Sequence, residues 1–343
     1  MSEPRTFKKL TLNDVARELG VSRATVSNAF NKPELLAKEM LERIMTASLE
    51  LGYFGPDPMA RAMRRKDLHE VAVVFHHDLR YALTDPVSVE FLRGVATELD
   101  ARRLALHLIP QTGRRGDLNA AFQTTADALI IHDEVVANLI PQLRAVRKPL
   151  SVVDTQVAGL PSVQIEDRLG AAKAMDHILS KQPDHILVLS MPLADDVRAM
   201  TQYTRDSTER AHVSAERVAG YLDSLNRSGF DRRAVTWMEV NETSPETAAL
   251  DALPFLQPLL QNQRVCVVGM TDRMVLSVLR GLEECDWNKP VGMVGFDDIP
   301  EAARRGLTTV RQNAHEKGVY AVRVALDQTD SVCLPTELVV RDT

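Results

Sequence analysis

Residues 11–31 read TLNDVARELGVSRATVSNAFN, a stretch with the pattern of two short helices joined by a tight turn. Thr11 is a suitable N-cap, Asp14 stands three residues later in a position to bond back, and apolar residues follow at helical spacing. Gly20 predicts the end of the first helix, because glycine adopts the left-handed conformation of a helix C-terminus without steric cost. Ser22 is then a suitable N-cap for a second helix. The stretch therefore predicts a helix-turn-helix unit.

The second helix has an apolar side and a polar side. Val26, Ala29 and Phe30 recur at helical spacing, so they are expected to point inward. The other side is polar or small and consists of Arg23, Ala24, Thr25, Ser27 and Asn28. Such a face suits a helix lying in the major groove of DNA, where its first residues meet base edges and small hydroxyls meet phosphates.

Two further segments follow the helix-turn-helix. Lys32-Pro33 is expected to break the second helix, and a third helix is predicted to stop at Gly52, with one side marked by Leu41, Ile44, Met45 and Ser48. After Pro56-Asp57-Pro58, residues 59–66 form a segment with a basic end that is too short to be stable as an isolated helix. We interpret it as a linker that folds when docked; the alternative is an interdomain tether with a solvated basic tail.

Charge is distributed unevenly along the chain. The 343 residues carry a net charge of −6, yet residues 1–68 contain twelve Lys and Arg against nine Asp and Glu, whereas the remainder contains 29 against 38. A mildly basic head on an acidic body is expected when only the head approaches phosphates.

The sequence predicts neither export nor a membrane span. The three cysteines, at 266, 285 and 333, have no metal-type spacing, and their odd number favours a reducing cytoplasm. The N-terminus has no apolar signal region, and no apolar run reaches the roughly eighteen residues of a membrane helix. Glycine-rich phosphate loops, nucleophile elbows and metal-binding helices are not recognisable, so we expect neither an enzyme nor a cofactor.

From residue 71 onward, strands alternate with helices. Two such series predict an α/β fold with two doubly wound parallel-sheet lobes and a cleft between them. The first series has predicted strands at 71–75, 104–109, 128–131 and 150–153, with helices at 87–101 and 137–146. The second has strands at 163–165, 185–189, 235–237, 264–268 and 292–295, with helices at 170–181, 212–228, 245–261 and 272–284.

Ligands of open α/β sheets bind at the carboxyl ends of the strands, so the polar residues there are candidates for a binding site. They are His76, His77, Asp78, His132, Asp133, Asp154, Asp272, Asp297 and Asp298. A metal site at His76-His77-Asp78 is not expected, because neighbouring residues of a strand point to opposite faces.

These motifs together resemble the lactose-repressor/galactose-repressor (LacI/GalR) family of bacterial transcription regulators, over nearly the whole chain. The resemblance is carried by residues 11–31, by LGYFGPDPMARAMRR at 51–65, by VGFDD at 294–298, and by LTTV at 307–310 with Gln312. It implies a helix-turn-helix head (1–55), a hinge helix (56–68) and a periplasmic-binding-protein-like core. The implied core lobes are 69–165 with 312–332, and 166–311 with 333–343.

The resemblance also implies which residues bind DNA. Arg23, Ala24 and Asn28 match base-reading positions, although a basic residue is frequent where Asn28 stands. Met63 matches a leucine that wedges into the minor groove, a role that an apolar, flexible methionine can fill. Positions that mostly hold phosphates, or that complete the DNA-binding set, are Thr11, Ser22, Thr25, Ser27, Asn31, Tyr53, Met59 and Ala60.

Within the cleft, the resemblance implies that Arg217 binds a small-molecule effector. Asp154, Asp272 and Asp297 complete the implied effector set, and His76 is added to it from its place after the first predicted strand. An arginine together with carboxylates fits a polar ligand such as a sugar. The alternatives are structural: Asp272 as a helix N-cap, Asp297 as part of a turn, and Arg217 in an ion pair that stabilises its lobe.

These inferences combine into one functional hypothesis. The chain is interpreted as a cytoplasmic, homodimeric repressor that binds pseudo-palindromic operator DNA under control of a small, possibly carbohydrate, effector. Glu166-Asp167, Lys181–Asp184 and Met270–Asp272 depart from the family pattern, so the effector need not be a common sugar. The chain ends without a leucine heptad, so a helical tetramerisation tail is not expected. The alternative function is that of a periplasmic solute-binding protein, which shares the two lobes.

Overall fold

The computed structural model of the chain separates into two units, Met1–Leu68 and His69–Thr343. The described residues are 11–51, 53, 68–75, 78–110, 121, 124–132, 143–144, 146, 148–191, 210–240 and 244–343. The predicted linker at 59–66 and most of the predicted helix at 137–146 lie outside these residues.

Within its described residues, the first unit contains three α-helices that begin and end much as predicted. They are α1 (Leu12–Leu19), α2 (Arg23–Asn31) and α3 (Lys38–Leu51), with a 3₁₀ turn at Pro33–Leu35. The Asp14 carboxylate accepts hydrogen bonds from the Thr11 backbone N–H at 2.9 Å and from its hydroxyl at 2.6 Å. Gly20 ends α1 with a φ of 66°. The Ser22 hydroxyl caps α2 by accepting from the Thr25 N–H at 3.0 Å. These caps confirm the predicted helix-turn-helix.

One side of each helix packs into the core of the first unit. Val15, Val26 and Ile44 are completely buried, which confirms the inward side predicted for α2. The Tyr53 ring packs edge-on against Phe30, with ring centroids 5.5 Å apart.

One expectation for α3 is wrong. Met45 is 39% exposed, whereas Ile44 and Ser48 are buried. Residues four apart share a helix face, so the buried stripe passes through Ile44 and Ser48, and Met45 points away from it.

The second unit alternates strands and helices along the chain. Its described strands are β1 (Glu70–Phe75), β2 (Ala105–Pro110), β3 (Ala128–His132), β4 (Leu150–Val153), β5 (Thr155–Val157), β6 (Ser162–Ile165), β7 (His185–Ser190), β8 (Arg210–His212), β9 (Val235–Glu239), β10 (Val265–Gly269), β11 (Gly292–Asp297), β12 (Thr308–Arg311), β13 (Val332–Leu334) and β14 (Glu337–Val339). Its helices are α4 (Leu79–Ala82), α5 (Pro86–Arg102), α6 (Asp167–Ser180), α7 (Val213–Ser228), α8 (Ala248–Leu260), α9 (Asp272–Glu284), α10 (Pro300–Arg304) and α11 (Ala314–Asp327).

Twelve of these strands form two six-stranded sheets, one in each lobe, and β5 pairs with β8. The first has the order β13-β6-β4-β3-β1-β2 and is parallel throughout. The second has the order β14-β12-β11-β10-β7-β9, and only its edge strand β14 is antiparallel to its neighbour. The predicted α/β fold with a helix-turn-helix head and two doubly wound lobes is therefore confirmed.

Helices α5 and α11 pack closely in the first lobe because glycines lie where they touch. A Cβ atom at Gly94 would lie 1.8 Å from the carbonyl oxygen of His315, and one at Gly318 would lie 2.1 Å from that of Phe91. Real Cβ atoms do not approach so closely, so any larger residue at either position would push the helices apart.

The predicted strands are present within two residues of their expected bounds. The predicted helix at 245–261 differs in detail, since a 3₁₀ turn at Pro245–Thr247 precedes α8. The sequence pattern does not predict the antiparallel pair of β5 and β8 or the long helix α11. Among the described helices, none has the length and apolar character needed to cross a membrane.

Candidate functional site

The second helix of the helix-turn-helix presents the polar face that the sequence predicts. Ser22, Arg23 and Ala24 are exposed, and Thr25 and Asn28 are half-buried. The Ser22 and Thr25 hydroxyls lie 2.8 Å apart, so they form one polar group at the start of α2. The N-terminal turn of α2 thus offers a long cationic side chain beside small hydroxyls, the chemistry of a helix that meets bases and phosphates.

The other residues of the predicted DNA-binding set fall into two groups. Ser27 is half-buried, Thr11 is exposed, Asn31 is the last residue of α2, and the Tyr53 side chain is only 6% exposed because its ring belongs to the core. Met59, Ala60 and Met63 lie outside the described residues, as does His76 of the effector set.

A cavity of about 130 Å³ lies between the two lobes of the second unit. Its charged lining residues are Asp85, Asp154, Arg217, Arg273, Asp297 and Lys317. Asp154 follows β4 and Asp297 ends β11, so the carboxyl ends of strands from both sheets contribute, as their topology predicts. Pockets for drug-sized ligands usually measure about 300–1,000 Å³, so this cavity holds only a small ligand unless the lobes separate.

Arg217 on α7 lies in the cavity wall and is almost completely buried. Its Nε donates to Asp167 Oδ1 at 2.8 Å, and its Nη1 donates to the carbonyl oxygen of Met270. The guanidinium lies 3.6 Å above the centre of the Phe296 ring. Burial by itself would lower the pKa of Arg217, but the carboxylates of Asp167 and Asp297 outweigh burial and raise it. The ion pair considered as an alternative role is therefore present, and Arg217 lines the cavity as well.

A chain of hydrogen bonds joins the two lobes along the cavity. Lys317 Nζ donates to both Asp154 oxygens at 2.8 Å and to Gln312 Oε1 at 3.1 Å. Gln312 Nε2 in turn donates to Asp297 Oδ1 at 2.6 Å. Gln312 lies where the chain passes from β12 of the second sheet to α11 of the first lobe, so this chain of contacts follows the crossover.

Sequence reasoning missed Lys317, although the sequence contains a signal for it. Lys317 stands one position before Gly318 on the stripe of small and apolar residues that α11 buries, and only 2% of it is exposed. A lysine at such a position needs a buried partner, because an unpaired charge is rarely buried.

Asp297 has the most perturbed environment of the predicted carboxylates in the cavity wall. Its φ is 118° and that of Asp298 is 57°, so both residues hold the bend after β11. Burial raises the pKa of Asp297 to about 7, although the nearby Arg217 opposes this effect. Asp298 instead pairs with Arg311, at 2.7 Å, and with Arg341.

Asp272 lies behind the cavity wall. It is 0% exposed, its Oδ1 accepts from the Thr309 hydroxyl at 2.6 Å, and its Oδ2 accepts from the Ile299 N–H at 2.9 Å. The alternative role as helix N-cap is wrong, because the Thr271 hydroxyl caps α9. Asp272 therefore connects β12 and the loop after β11 to α9 by hydrogen bonds, and it does not line the cavity.

Two other polar residues that follow strands have structural contacts. Asp78 caps α4 by accepting from the Tyr81 N–H at 2.8 Å. His132, which also lines the cavity, contacts the rings of Phe75 and Phe91 at centroid distances of 4.9 and 4.4 Å, with Nε2 3.6 Å from Asp154 Oδ2.

Comparison with known proteins agrees with this architecture. Residues 11–55 match "Bacterial regulatory proteins, lacI family", and residues 195–343 match "Periplasmic binding protein-like domain". The HTH-type transcriptional regulator Rv3575c of Mycobacterium tuberculosis is 31% identical over 335 residues, covering 94% of this chain and 92% of that protein.

Solved structures show the same fold. A LacI-family transcriptional regulator from Corynebacterium glutamicum superposes with a TM-score of 0.68 at 26% identity, covering 98% of this chain and 99% of that one. The lac repressor dimer bound to operator and the anti-inducer ONPF has a TM-score of 0.71 at 20% identity, with 98% and 99% covered. The chain therefore belongs to the lacI family of bacterial regulatory proteins and is a DNA-binding transcriptional regulator.

Proposed function

We propose that this regulator is a cytoplasmic repressor that binds a pseudo-palindromic operator as a homodimer and responds to a small, polar, sugar-like effector. The observation that carries the proposal is the cavity between the lobes, where Asp154, Arg217 and Asp297 converge from separate elements. Carboxylates and a guanidinium together accept and donate hydrogen bonds, as a ligand rich in hydroxyl groups requires.

For DNA, we propose that Arg23, Ala24 and Asn28 read bases. Arg23 is exposed in the first turn of α2, where a bidentate contact to guanine would contribute roughly 1–3 kcal/mol of discrimination. Phosphate contacts are proposed for Thr11, Ser22, Thr25, Ser27, Asn31 and Tyr53. Met63, with Met59 and Ala60, is proposed to enter the minor groove at the operator centre.

For regulation, we propose that the effector changes the angle between the lobes and thereby the DNA affinity. A two-fold dimer places two reading helices on half-sites about one turn of DNA apart, so a change in lobe angle alters how well both fit. The effector controls affinity only as far as it binds one lobe arrangement more tightly than the other. Asp154, Arg217 and Asp297, with Lys317 and Gln312, form the proposed binding set.

Fluorescence anisotropy with DNA from the protein's own promoter region tests the DNA half. We expect a salt-sensitive, sequence-selective complex that Arg23→Ala weakens by about ten- to a hundredfold, with much less effect on non-specific DNA. Arg17→Ala is the matched control, because it removes an exposed charge from α1 and should affect both DNAs alike. A protein that binds no DNA selectively would contradict the proposal.

Thermal-shift screening against sugars and other small polar metabolites tests the effector half. A ligand that binds only the folded protein raises its midpoint of unfolding. The same ligand should change operator affinity in the anisotropy assay. A ligand that stabilises the protein but does not change operator affinity would not be the regulatory effector.

A further inference from the structure

One ion pair in the cavity wall connects the two lobes directly. Arg273, in the first turn of α9 in the second lobe, donates from Nη1 to Asp85 Oδ1 at 3.1 Å. Asp85 belongs to the first lobe, where it caps α5 by accepting from the Ser88 N–H through Oδ2 at 2.9 Å. The pair therefore joins the first turns of two helices that belong to different lobes.

Side chains of both lobes contact the Arg273 guanidinium. Within its own lobe, Nε donates to Glu246 Oε1 at 2.9 Å, which orients the guanidinium. In the first lobe, its Cζ lies 5.7 Å from the centre of the Tyr81 ring, within the range of a cation–π attraction. Arg273 thus meets the first lobe through both a carboxylate and an aromatic ring.

An apolar contact supports the ion pair. Val87, two residues after Asp85 in α5, packs against the buried core of the second lobe that includes Leu276. The paired side chains are themselves mostly buried, with 21% of Arg273 and 10% of Asp85 exposed. Water is therefore largely excluded around the pair, and its attraction is stronger than that of a surface ion pair.

We propose that the Arg273–Asp85 pair is a latch that keeps the lobes together when the cavity is empty. This inference rests on the proposed function, since it names the contact through which cavity occupancy controls the lobe angle. Both residues line the cavity, so an entering ligand meets the latch itself. A ligand that takes hydrogen bonds from Arg273 weakens the closed arrangement, and one that leaves the pair intact preserves it.

A cysteine placed inside the cavity measures opening of the lobes. Val213 lines the cavity from the second lobe and is half-buried, so a cysteine in its place should react faster with a thiol reagent when the lobes part. The background carries Cys285→Ser and Cys333→Ser, because these native thiols are exposed, whereas Cys266 is buried. The full chain is used without DNA and without any ligand.

We expect Asp85→Asn and Arg273→Gln each to raise the labelling rate of the cavity cysteine about tenfold, as loss of one charge-assisted hydrogen bond predicts. Asparagine is also a good N-cap, so Asp85→Asn leaves the start of α5 intact. The double variant should label no faster than Arg273→Gln alone, because Arg273→Gln already removes the contacts of Arg273 with Asp85 and Tyr81.

Arg280→Gln is the matched control. Arg280 lies on the same helix, and its ion pair with Glu301, at 3.7 Å, joins side chains of one lobe that are 53% and 43% exposed, so the labelling rate of the control should equal that of the parent. Thermal unfolding checks that each variant folds. If one of the two single variants does not fold, the labelling rate of the other single variant tests the proposal. Unchanged rates in the latch variants, or a double variant whose effect is the product of the single effects, would overturn the proposal. The labelling rate is measured without DNA and without effector. It therefore does not depend on whether the protein binds the proposed operator or effector.

Discussion

The Lys317 ammonium lies 2.8 Å from both carboxylate oxygens of Asp154. Only 3% of the Lys317 side chain and 11% of the Asp154 side chain are exposed. Lys317 also bonds to Gln312, whose amide donates to Asp297. The buried lysine therefore compensates a carboxylate of the first lobe and connects it, through the crossover residue, with a carboxylate of the second.

Lys317→Met should lower the free energy of unfolding by about 3–5 kcal/mol, because it leaves the Asp154 carboxylate buried without its counter-charge. Urea denaturation at neutral pH measures the change. Adding Asp154→Asn should restore much of the loss, since the double variant no longer buries an unpaired charge.

Lys289→Met is the control for the loss of a lysine as such. Lys289 pairs with Glu283 at 2.9 Å, but the two side chains are 54% and 36% exposed. Its replacement should change the free energy of unfolding by less than about 1 kcal/mol. If Lys317→Met changed the free energy of unfolding as little as Lys289→Met, then Lys317 would not be needed to neutralise a buried Asp154 carboxylate.

Arg217→Ala should abolish the effector's influence on operator affinity. It should also lower the free energy of unfolding by about 3–5 kcal/mol, because Asp167 loses its buried partner. Anisotropy titrations with and without the ligand found by screening measure the first effect. Arg217→Gln combined with Asp167→Asn removes both charges, so it should lose the response with a smaller loss of stability.

Arg227→Ala serves as the control on the same helix. Its partner Asp176 lies 2.9 Å away, and both side chains are more than half exposed. The variant should keep the effector response and nearly all of its stability. A normal response in Arg217→Ala would remove Arg217 from the binding set.

Most of the fold could be predicted because its signals are local. Thr11, Gly20 and Ser22 mark helix ends through contacts within three or four residues, and these contacts are present. The central strands β1, β3, β4, β7, β10 and β11 are nearly continuous buried runs, which the sequence displays directly. Helix α11 is not predicted because Lys317 and Gly318 interrupt its apolar stripe. Both residues are explained by contacts with other parts of the chain, since Lys317 pairs with Asp154 and Gly318 lies against the backbone of Phe91.

The cavity could be predicted only in part, because its pairs join residues far apart in sequence. Asp154 and Asp297 were found from their places after strands. Arg273 and Asp85 were not, since nothing local links them across 188 positions. Asp272 also follows a strand, yet it faces Thr309 and Ile299 rather than the cavity, and its direction depends on how β12 packs beside it.

Ser22→Ala should destabilise the helix-turn-helix unit by about 1 kcal/mol, because the Thr25 N–H loses its cap. Ser22→Asn should keep the stability, since asparagine caps as well as serine. Thermal unfolding of the chain and operator anisotropy separate the two proposed roles. A weaker complex with Ser22→Asn at unchanged stability would indicate a hydroxyl–phosphate contact, whereas unchanged affinity would restrict Ser22 to capping.

The contribution of Asp297 to stability should fall as the pH rises towards neutrality, because burial raises the pKa of Asp297 to about 7. A carboxyl whose pKa is higher in the folded protein than in the unfolded chain keeps its proton on folding, so its stabilising contribution is complete at low pH. The contribution decreases above the unfolded pKa and is lost as the pH passes the folded pKa. Urea denaturation between about pH 5 and pH 8 measures this dependence.

Asp297→Asn removes the titration of Asp297 together with its repulsion of Asp272. Asparagine stays neutral and can still accept the hydrogen bond from Gln312, so it resembles the protonated aspartic acid. The variant should match the parent protein below about pH 4, and its advantage in free energy of unfolding should grow by roughly 1–3 kcal/mol between about pH 5 and pH 8. Burial raises the pKa of the neighbouring Asp272, and the charge of Asp297 raises it further, so the difference between the two proteins includes the repulsion that Asp272 loses. A difference between the two proteins that stayed constant with pH would show that Asp297 does not titrate in this range.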